Sequence, residues 1–255
     1  MSVVVACSFW IINLASGQNS TPPAGEGDPI AKAKAVLARA IEAHGGMETL
    51  ARNRMDRVRL KGMMVVQDRE VPFKAETVMN LPEGFRNQVT LMAGTQGQTV
   101  LVQLMHKGKA SLFFNGMAQP MPQSQLDEFR ETMLIQQAMR LVSLAGESGF
   151  SLEWAGQGLV NDRLVDWLLV RAEGRRPLRM SFDRETGYLV RTSHTVLVGG
   201  KPVLQEETYG DFRKLGAYKR PVKMITTRDG KLLVEAQLVD VRYPDRISEA
   251  EFLSP

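Results

Sequence analysis

Cysteine and histidine are scarce in this chain, which has one cysteine and three histidines among 255 residues. Because a disulfide needs two thiols, Cys7 cannot form one within the chain. His44, His106 and His194 lie far apart, outside spacings such as His-Glu-x-x-His that are typical of metal-binding histidines. The sequence therefore predicts neither a metal site nor a cofactor.

The motifs of several enzyme classes are missing as well. No Gly-x-Gly-x-x-Gly follows a strand-like run, and the glycine-containing stretch at 94–97 lacks the Lys-Ser/Thr of a phosphate-binding loop. The stretch at 146–149 reads Gly-Glu-Ser-Gly, one residue shorter than the nucleophile elbow of hydrolases. Because no motif supplies a nucleophile, a general base or a nucleotide site, we expect a protein that is not an enzyme.

Neither positive nor negative charge dominates the composition. Lys and Arg total 32 against 28 for Asp and Glu, and the small excess is scattered along the chain. Nucleic-acid binding needs a clustered basic surface, so no nucleic-acid partner is predicted. Two acidic pairs, Asp127 with Glu128 and Glu206 with Glu207, are interpreted as solvated surface.

The chain also lacks an apolar run long enough for a membrane-spanning helix. The run at 3–14 has about a dozen residues where a span needs about 20, but it has the length of a signal-peptide core. We expect an exported, periplasmic protein with a signal segment at 1–17, cleaved before Gln18, and a flexible linker at 18–28. Two alternatives stay open. In the first, residues 4–7 resemble a lipobox, which would anchor the protein in the envelope through Cys7. In the second, the segment is simply an apolar tail. The basic residues that usually begin a signal peptide are missing, since no Lys or Arg precedes Lys32.

Helical patterns occur in three places. Asp28 as N-cap, Pro29 and apolar residues at helical spacing predict a helix at 29–44 that ends at a Gly-Gly pair. A short second helix follows near residue 47. A third, central helix is predicted at 124–145, with an apolar stripe wide enough to pack against an extensive surface.

Alternation with period two covers most of the remaining chain. About twelve strands are predicted, joined by short turns such as Asp229-Gly230 and interrupted only by the central helix. No strand-helix-strand alternation appears, so a parallel sheet is excluded in favour of a single curved antiparallel meander. The fold class is α+β, mainly β, with one domain at 29–255 behind the export segment.

Methionine is the abundant residue type, with 14 in the chain. Flexible thioether side chains suit surfaces that accept apolar partners of varied shape. A sheet of about twelve strands is too wide for two helices to fill, so we predict an apolar basin under a lid formed by the central helix. The predicted lining residues alternate along strands or lie on the lid: Val58, Leu60, Met64, Phe73, Met79, Phe113, Met133, Leu134 and Leu141.

Two passages carry a family resemblance. The stretch at 40–62 combines a helix end, Gly-Gly, a short helix and a basic first strand. The stretch at 207–255 contains Tyr-Gly-Asp-Phe, a strand starting near Pro221, an Asp-Gly turn and a closing Phe-x-x-Pro. In these passages, and in the order of its elements, the chain resembles the LolA/LolB-like outer-membrane lipoprotein-sorting proteins.

The resemblance implies an incomplete β-barrel of about 11–12 strands with an N-terminal helix and a helical lid. It also implies a periplasmic carrier whose ligand is a lipid or an acylated lipoprotein, with an envelope membrane protein as a further partner. The same fold serves envelope sensors and at least one enzyme, so a sensor, or an enzyme acting on a hydrophobic substrate, remains an alternative. So does a docking module whose basin is filled by its own side chains. Strand alternation places Arg57 and Arg59 away from the basin.

Overall fold

The computed structural model describes residues 28–52, 55–92, 97–146 and 149–255. The expected signal segment at 1–17, and all of the expected linker except Asp28, lie outside these residues. Of the helices in the described ranges, none combines the length and the apolar character needed to cross a membrane.

The first helix begins and ends where the sequence predicts. Helix α1 spans Pro29–His44, and the Asp28 carboxylate accepts a hydrogen bond of 2.9 Å from the backbone N–H of Ile30. Gly45 ends the helix with φ of 132°, a conformation that side-chain-bearing residues rarely adopt. The short helix α2, Met47–Arg52, follows.

The described residues form thirteen strands, one more than the alternation predicts, because the three-residue β6 is too short to give a pattern. Six strands precede the central helices: β1 Met55–Val66, β2 Arg69–Asn80, β3 Gly84–Met92, β4 Gln98–His106, β5 Lys109–Phe114 and β6 Met117–Gln119. Seven follow them: β7 Ser151–Val160, β8 Arg163–Arg171, β9 Leu178–Asp183, β10 Leu189–Val198, β11 Lys201–Leu215, β12 Tyr218–Arg228 and β13 Lys231–Arg242. A 3-10 helix, Glu249–Phe252, comes last.

All strands belong to one antiparallel sheet that does not close. Its order is β6-β5-β4-β3-β2-β1-β13-β12-β11-β10-β9-β8-β7, so the chain runs outward from β1 to one edge, crosses to the other and returns to β1. The two edge strands, β6 and β7, are joined in sequence only through the central helices. This topology confirms the prediction of an incomplete β-barrel with a helical crossover.

The central helical region is two helices rather than the single one predicted at 124–145. Helix α3 spans Gln123–Ala138 and α4 spans Val142–Gly146. Between them Leu141 has φ of 62°, in the left-handed region, and its side chain is only 2% exposed. Burial of a leucine in the core outweighs the cost of this conformation, and no glycine or proline marks the break in the sequence.

The apolar core is divided into two main clusters. The larger joins α1 and α4 to strands β8–β11, with Leu37, Leu168 and Met180 among its buried residues. The smaller joins α3 to strands β2–β4 through contacts that include Met79 and Phe129. Side chains from both clusters border the cavity that is the candidate site.

Candidate functional site

A cavity of about 540 Å³ lies on the concave side of the sheet, beneath α3. That volume is within the range of about 300–1,000 Å³ that small-molecule sites occupy. Its floor comes from β1–β3 and β11–β13, where alternate residues point inward. The floor residues include Leu60, Ala75, Val89, Met224, Val234 and Ala236.

The outward positions of β1 carry the charges that solubilise the other side of the sheet. Arg57 donates a hydrogen bond of 2.7 Å to Glu76, and Arg59 donates one of 2.8 Å to the same carboxylate. Neither arginine is among the residues that border the cavity. Alternation along β1 therefore separates an apolar inner face from a charged outer face, as the sequence indicates.

The structure brings six of the nine predicted lining residues to the cavity wall and leaves three elsewhere. The six are Val58, Leu60, Met64, Phe73, Met79 and Leu141. Phe113 lies on β5, next to the edge strand β6, and Met133 packs into the smaller core cluster instead. Leu134 lies about 200° around the helix from the cavity-facing Thr132 and Gln136. Ligand contact by the six remains a prediction.

The face that α3 turns to the cavity is polar, contrary to the expected apolar lid. Apart from Phe129, its cavity-facing residues are Gln125, Glu128, Thr132 and Gln136. The wide apolar stripe of the sequence is used for core contacts on the flanks of the helix, such as Met133 and Ile135. The cavity thus has an apolar floor and a polar roof.

Ion pairs attach α3 to the β8–β9 loop, and a hydrogen bond attaches it to β10. Glu128 forms an ion pair of 2.7 Å with Arg176, and its carboxylate accepts a hydrogen bond of 3.2 Å from the backbone N–H of Leu197. Glu131, which is buried, lies 3.4 Å from Arg175 and 4.0 Å from Arg176. Glu128, interpreted from sequence as solvated surface, is instead an attachment point of the helix.

A charged cluster that the sequence analysis missed lies at one end of the cavity. The Asp56 carboxylate, 2% exposed, accepts hydrogen bonds of 3.2 Å from Arg140 and 2.9 Å from Arg220. All three residues border the cavity. Asp56 occupies the inward-facing position of β1 two residues before Val58, so alternation alone could have placed a carboxylate there.

Two stacked tyrosine rings support the Arg220 guanidinium. The Tyr218 and Tyr243 rings lie 4.2 Å apart, and Arg220 lies 5.3 Å from the Tyr243 ring centroid. The Tyr218 hydroxyl donates a hydrogen bond of 2.9 Å to the carbonyl oxygen of Thr49. Burial acts to lower the pKa of Arg220, but the charges and hydrogen bonds of Asp56 and Tyr243 together outweigh burial and raise that pKa above its usual value. Burial lowers the pKa of Arg140.

A second polar group, Glu207, lies on the cavity wall opposite Thr226 of the neighbouring strand β12. Its carboxylate accepts a hydrogen bond of 3.0 Å from the Tyr209 hydroxyl, which also contacts the Thr192 hydroxyl at 2.9 Å. Within the described ranges it forms no ion pair, and burial raises its pKa above the usual value. The sequence-based interpretation of Glu207 as solvated surface is wrong, because odd-numbered positions of this part of β11 face inward with Tyr209.

Metal binding has no support in the described ranges, which contain no cluster of three or more His, Cys, Asp or Glu side chains able to hold an ion. His44 instead donates from its Nδ1 to the carbonyl oxygen of Ala40 at 2.8 Å and packs edge-on against Tyr188 and Phe212. Burial lowers its pKa. It is a neutral structural histidine at the cavity margin.

Comparison with solved structures identifies the class of fold. A LolA superfamily protein from Nitrosomonas europaea matches with a TM-score of 0.55 at 11% identity, over 86% of this chain and 96% of its own. A domain from Vibrio parahaemolyticus, described as an outer membrane lipoprotein-sorting protein, matches at 0.54 and 9%, over 88% and 97%. A DUF1329 family protein from Desulfovibrio piger matches at 0.58 and 10%, over 89% and 98%.

The chain therefore has a LolA-like fold, an open antiparallel barrel crossed by helices. The sequence itself matches no protein-family model and no curated protein. At identities near 10%, the likeness concerns the fold alone, so the function has to be argued from the cavity.

Proposed function

We propose that this protein is a carrier that binds the acyl chain of a lipid or of an acylated lipoprotein in the cavity between the sheet and α3. One observation carries the proposal: the apolar floor of β1–β3 and β11–β13 faces about 540 Å³ of space that the protein's own side chains leave unfilled. This space disfavours a docking module with a closed, fully packed interior.

The dimensions of the floor suit an acyl chain. Along β12 the cavity extends from Arg220 to Thr226, six residues or about 20 Å at the rise of a strand. The acyl chains of one bilayer leaflet span about 15 Å, half of a hydrocarbon core of about 30 Å. Burial of apolar surface, worth about 25 cal/mol per Å², would drive binding.

Loading and release would depend on α3, the roof of the cavity. The helix is held by side-chain ion pairs to Arg175 and Arg176 in addition to the apolar contacts of its flanks. Such pairs contribute little individually, so they can be exchanged as the helix moves. A carrier of this kind would act in the periplasm or envelope and pass its ligand to a membrane partner, as the export segment predicted from sequence requires.

The test blocks the floor with one side chain. Ala75 faces the cavity and pairs with Leu60 and Val89, whereas the adjacent Lys74 is exposed on the other face. We expect Ala75→Trp to weaken binding of a fluorescent fatty acid by about tenfold or more, equivalent to about 1.4 kcal/mol. Lys74→Trp, the matched control, should bind like the wild type. Equal binding by both variants, with both folded by circular dichroism, would contradict the proposal.

A second candidate, an enzyme acting on a hydrophobic substrate, is favoured by the polar groups in the cavity. Glu207 with its raised pKa and the adjacent Tyr209 could hold or transfer a proton. The two candidates differ in what happens to the ligand. A carrier returns a bound lipid or lipopeptide intact after long incubation, whereas mass spectrometry would detect a changed mass if the protein were an enzyme.

A further inference from the structure

The cluster of Asp56, Arg140 and Arg220 has more positive than negative charge. One carboxylate accepts hydrogen bonds from two guanidinium groups, which leaves one positive charge within the trio. Lys219 borders the same end of the cavity. At the opposite end of the floor, about 20 Å along β12, the wall carries Glu207 instead. The cavity is therefore electrostatically asymmetric along its length.

The guanidinium of Arg220, and not the carboxylate, is what this end offers to a ligand. Asp56 is almost completely covered, and each of its oxygens accepts from one arginine. The Arg220 side chain is 31% exposed. One of its five N–H groups donates through Nη2 to Asp56, and the guanidinium also contacts the Tyr243 side chain. Because Arg220 borders the cavity, a ligand there can reach its side chain.

The position of this guanidinium is fixed before any ligand arrives. Asp56 holds one edge, and the stacked rings of Tyr218 and Tyr243 lie within 6.0 Å of the group. Tyr218 is itself held by its hydrogen bond to Thr49. A preorganised arginine loses little side-chain freedom on binding, and its planar fork matches phosphate and carboxylate oxygens.

We infer that the ligand is an amphipathic lipid with an anionic headgroup, which Arg220 binds at the Asp56 end of the cavity while the acyl chain lies along the floor. This inference rests on the proposed function and assigns the orientation and headgroup class of its ligand. An anion at this end meets the guanidinium of Arg220. A cationic headgroup would instead be drawn to Glu207.

The test compares ligands that share one tail. Isothermal titration calorimetry below the micellar concentration would measure dodecyl phosphate, dodecanol, dodecyltrimethylammonium and inorganic phosphate. We expect dodecyl phosphate to bind the wild type about tenfold to a hundredfold more tightly than dodecanol, the range for charge-assisted hydrogen bonds. Arg220→Gln should abolish this preference and Arg220→Lys should retain part of it. Arg228→Gln, on the same strand but outside the cavity wall, should leave it unchanged.

Each contrary outcome overturns a different statement. Equal affinity of the wild type for dodecyl phosphate and dodecanol, or tighter binding of dodecyltrimethylammonium, would overturn the anion site and leave the acyl-chain cavity standing. Binding of none of the amphiphiles would overturn the proposed function itself. Inorganic phosphate binding as tightly as dodecyl phosphate would assign the site to a free anion instead of a headgroup.

A measurement on the wild type covers the case in which Arg220→Gln does not fold. If a charge pair determines the preference, the preference for dodecyl phosphate over dodecanol should shrink as salt is raised, because ions screen the headgroup and the guanidinium. A preference that is unchanged between low and high salt would overturn the inference.

Discussion

Replacement of His194 should change how the stability of the protein depends on pH. The Nδ1 atom of His194 is buried without a hydrogen-bond partner in the described part of the chain. Burial, reinforced by the charge of Arg176, lowers its pKa from 6.5 to about 4; Glu128 acts in the opposite direction and Arg228 adds to the lowering. The histidine therefore lies beside the Glu128–Arg176 ion pair that attaches α3 to the β8–β9 loop.

The sign and size of the effect follow from proton linkage. Between the unfolded pKa of 6.5 and the folded pKa of about 4, the unfolded chain binds a proton that the folded protein does not. Stability is therefore lost as the pH falls through this window. Each pKa unit is worth about 1.4 kcal/mol, so this one histidine accounts for a loss of at most about 3 kcal/mol.

The assay is urea unfolding of the wild type and His194→Gln, from about pH 8 to about pH 4. Above the unfolded pKa the histidine is neutral in both states, so the two proteins should differ there only by a constant. Towards low pH the wild type should lose stability faster than the variant, until the difference has changed by up to about 3 kcal/mol. Parallel curves over the whole range would refute the assignment of a buried, neutral His194.

Three further predictions concern the wall, the floor and the roof of the cavity. Because burial raises the pKa of Glu207, the folded state holds its proton to higher pH than the unfolded state, and stability falls as pH rises above about 4.5. Glu207→Gln should therefore raise the midpoint of urea unfolding at neutral pH. A lowered midpoint would contradict this. A Cβ at Gly62 would lie 1.9 Å from the Glu235 carbonyl oxygen, so Gly62→Ala should lower the free energy of unfolding by about 1–3 kcal/mol. Gly210 has open space around it, so Gly210→Ala should lower that free energy much less in the same urea titration. Removal of the ion pairs of α3 by Arg176→Gln should speed release of a bound fatty acid about fivefold in stopped-flow fluorescence, equivalent to about 1 kcal/mol; an unchanged rate would mean that these pairs do not hold the roof.

Local signals in the sequence were sufficient for most of the fold. The N-cap Asp28 and the Gly-Gly pair delimit α1, and period-two alternation delimits the strands, because each signal depends only on neighbouring residues. The break at Leu141 could not be predicted in this way. It depends on burial of that leucine in the core cluster that also contains α1, whose residues lie about a hundred positions earlier in the chain.

The apolar floor of the site could also be predicted from local sequence signals, but the polar groups of the site could not. Leu60 and Phe73 follow from alternation alone. The pairing of Asp56 with Arg140 and Arg220 joins residues separated by 84 and 164 positions. These residues meet because the central helices cross the sheet and the last strands return to β1. Acidic residues on an otherwise apolar strand face are the signal to examine, since both Asp56 and Glu207 occupy inward positions.

The central claim is that a ligand's acyl chain lies against the concave floor. A fatty acid with a photoreactive diazirine near its tail end, crosslinked to the protein and mapped by peptide mass spectrometry, tests this directly. If the acyl chain lies there, floor residues such as Leu60, Ala75 and Met224 carry the labels. Labels confined to exposed apolar residues such as Leu159 and Leu204 would contradict it.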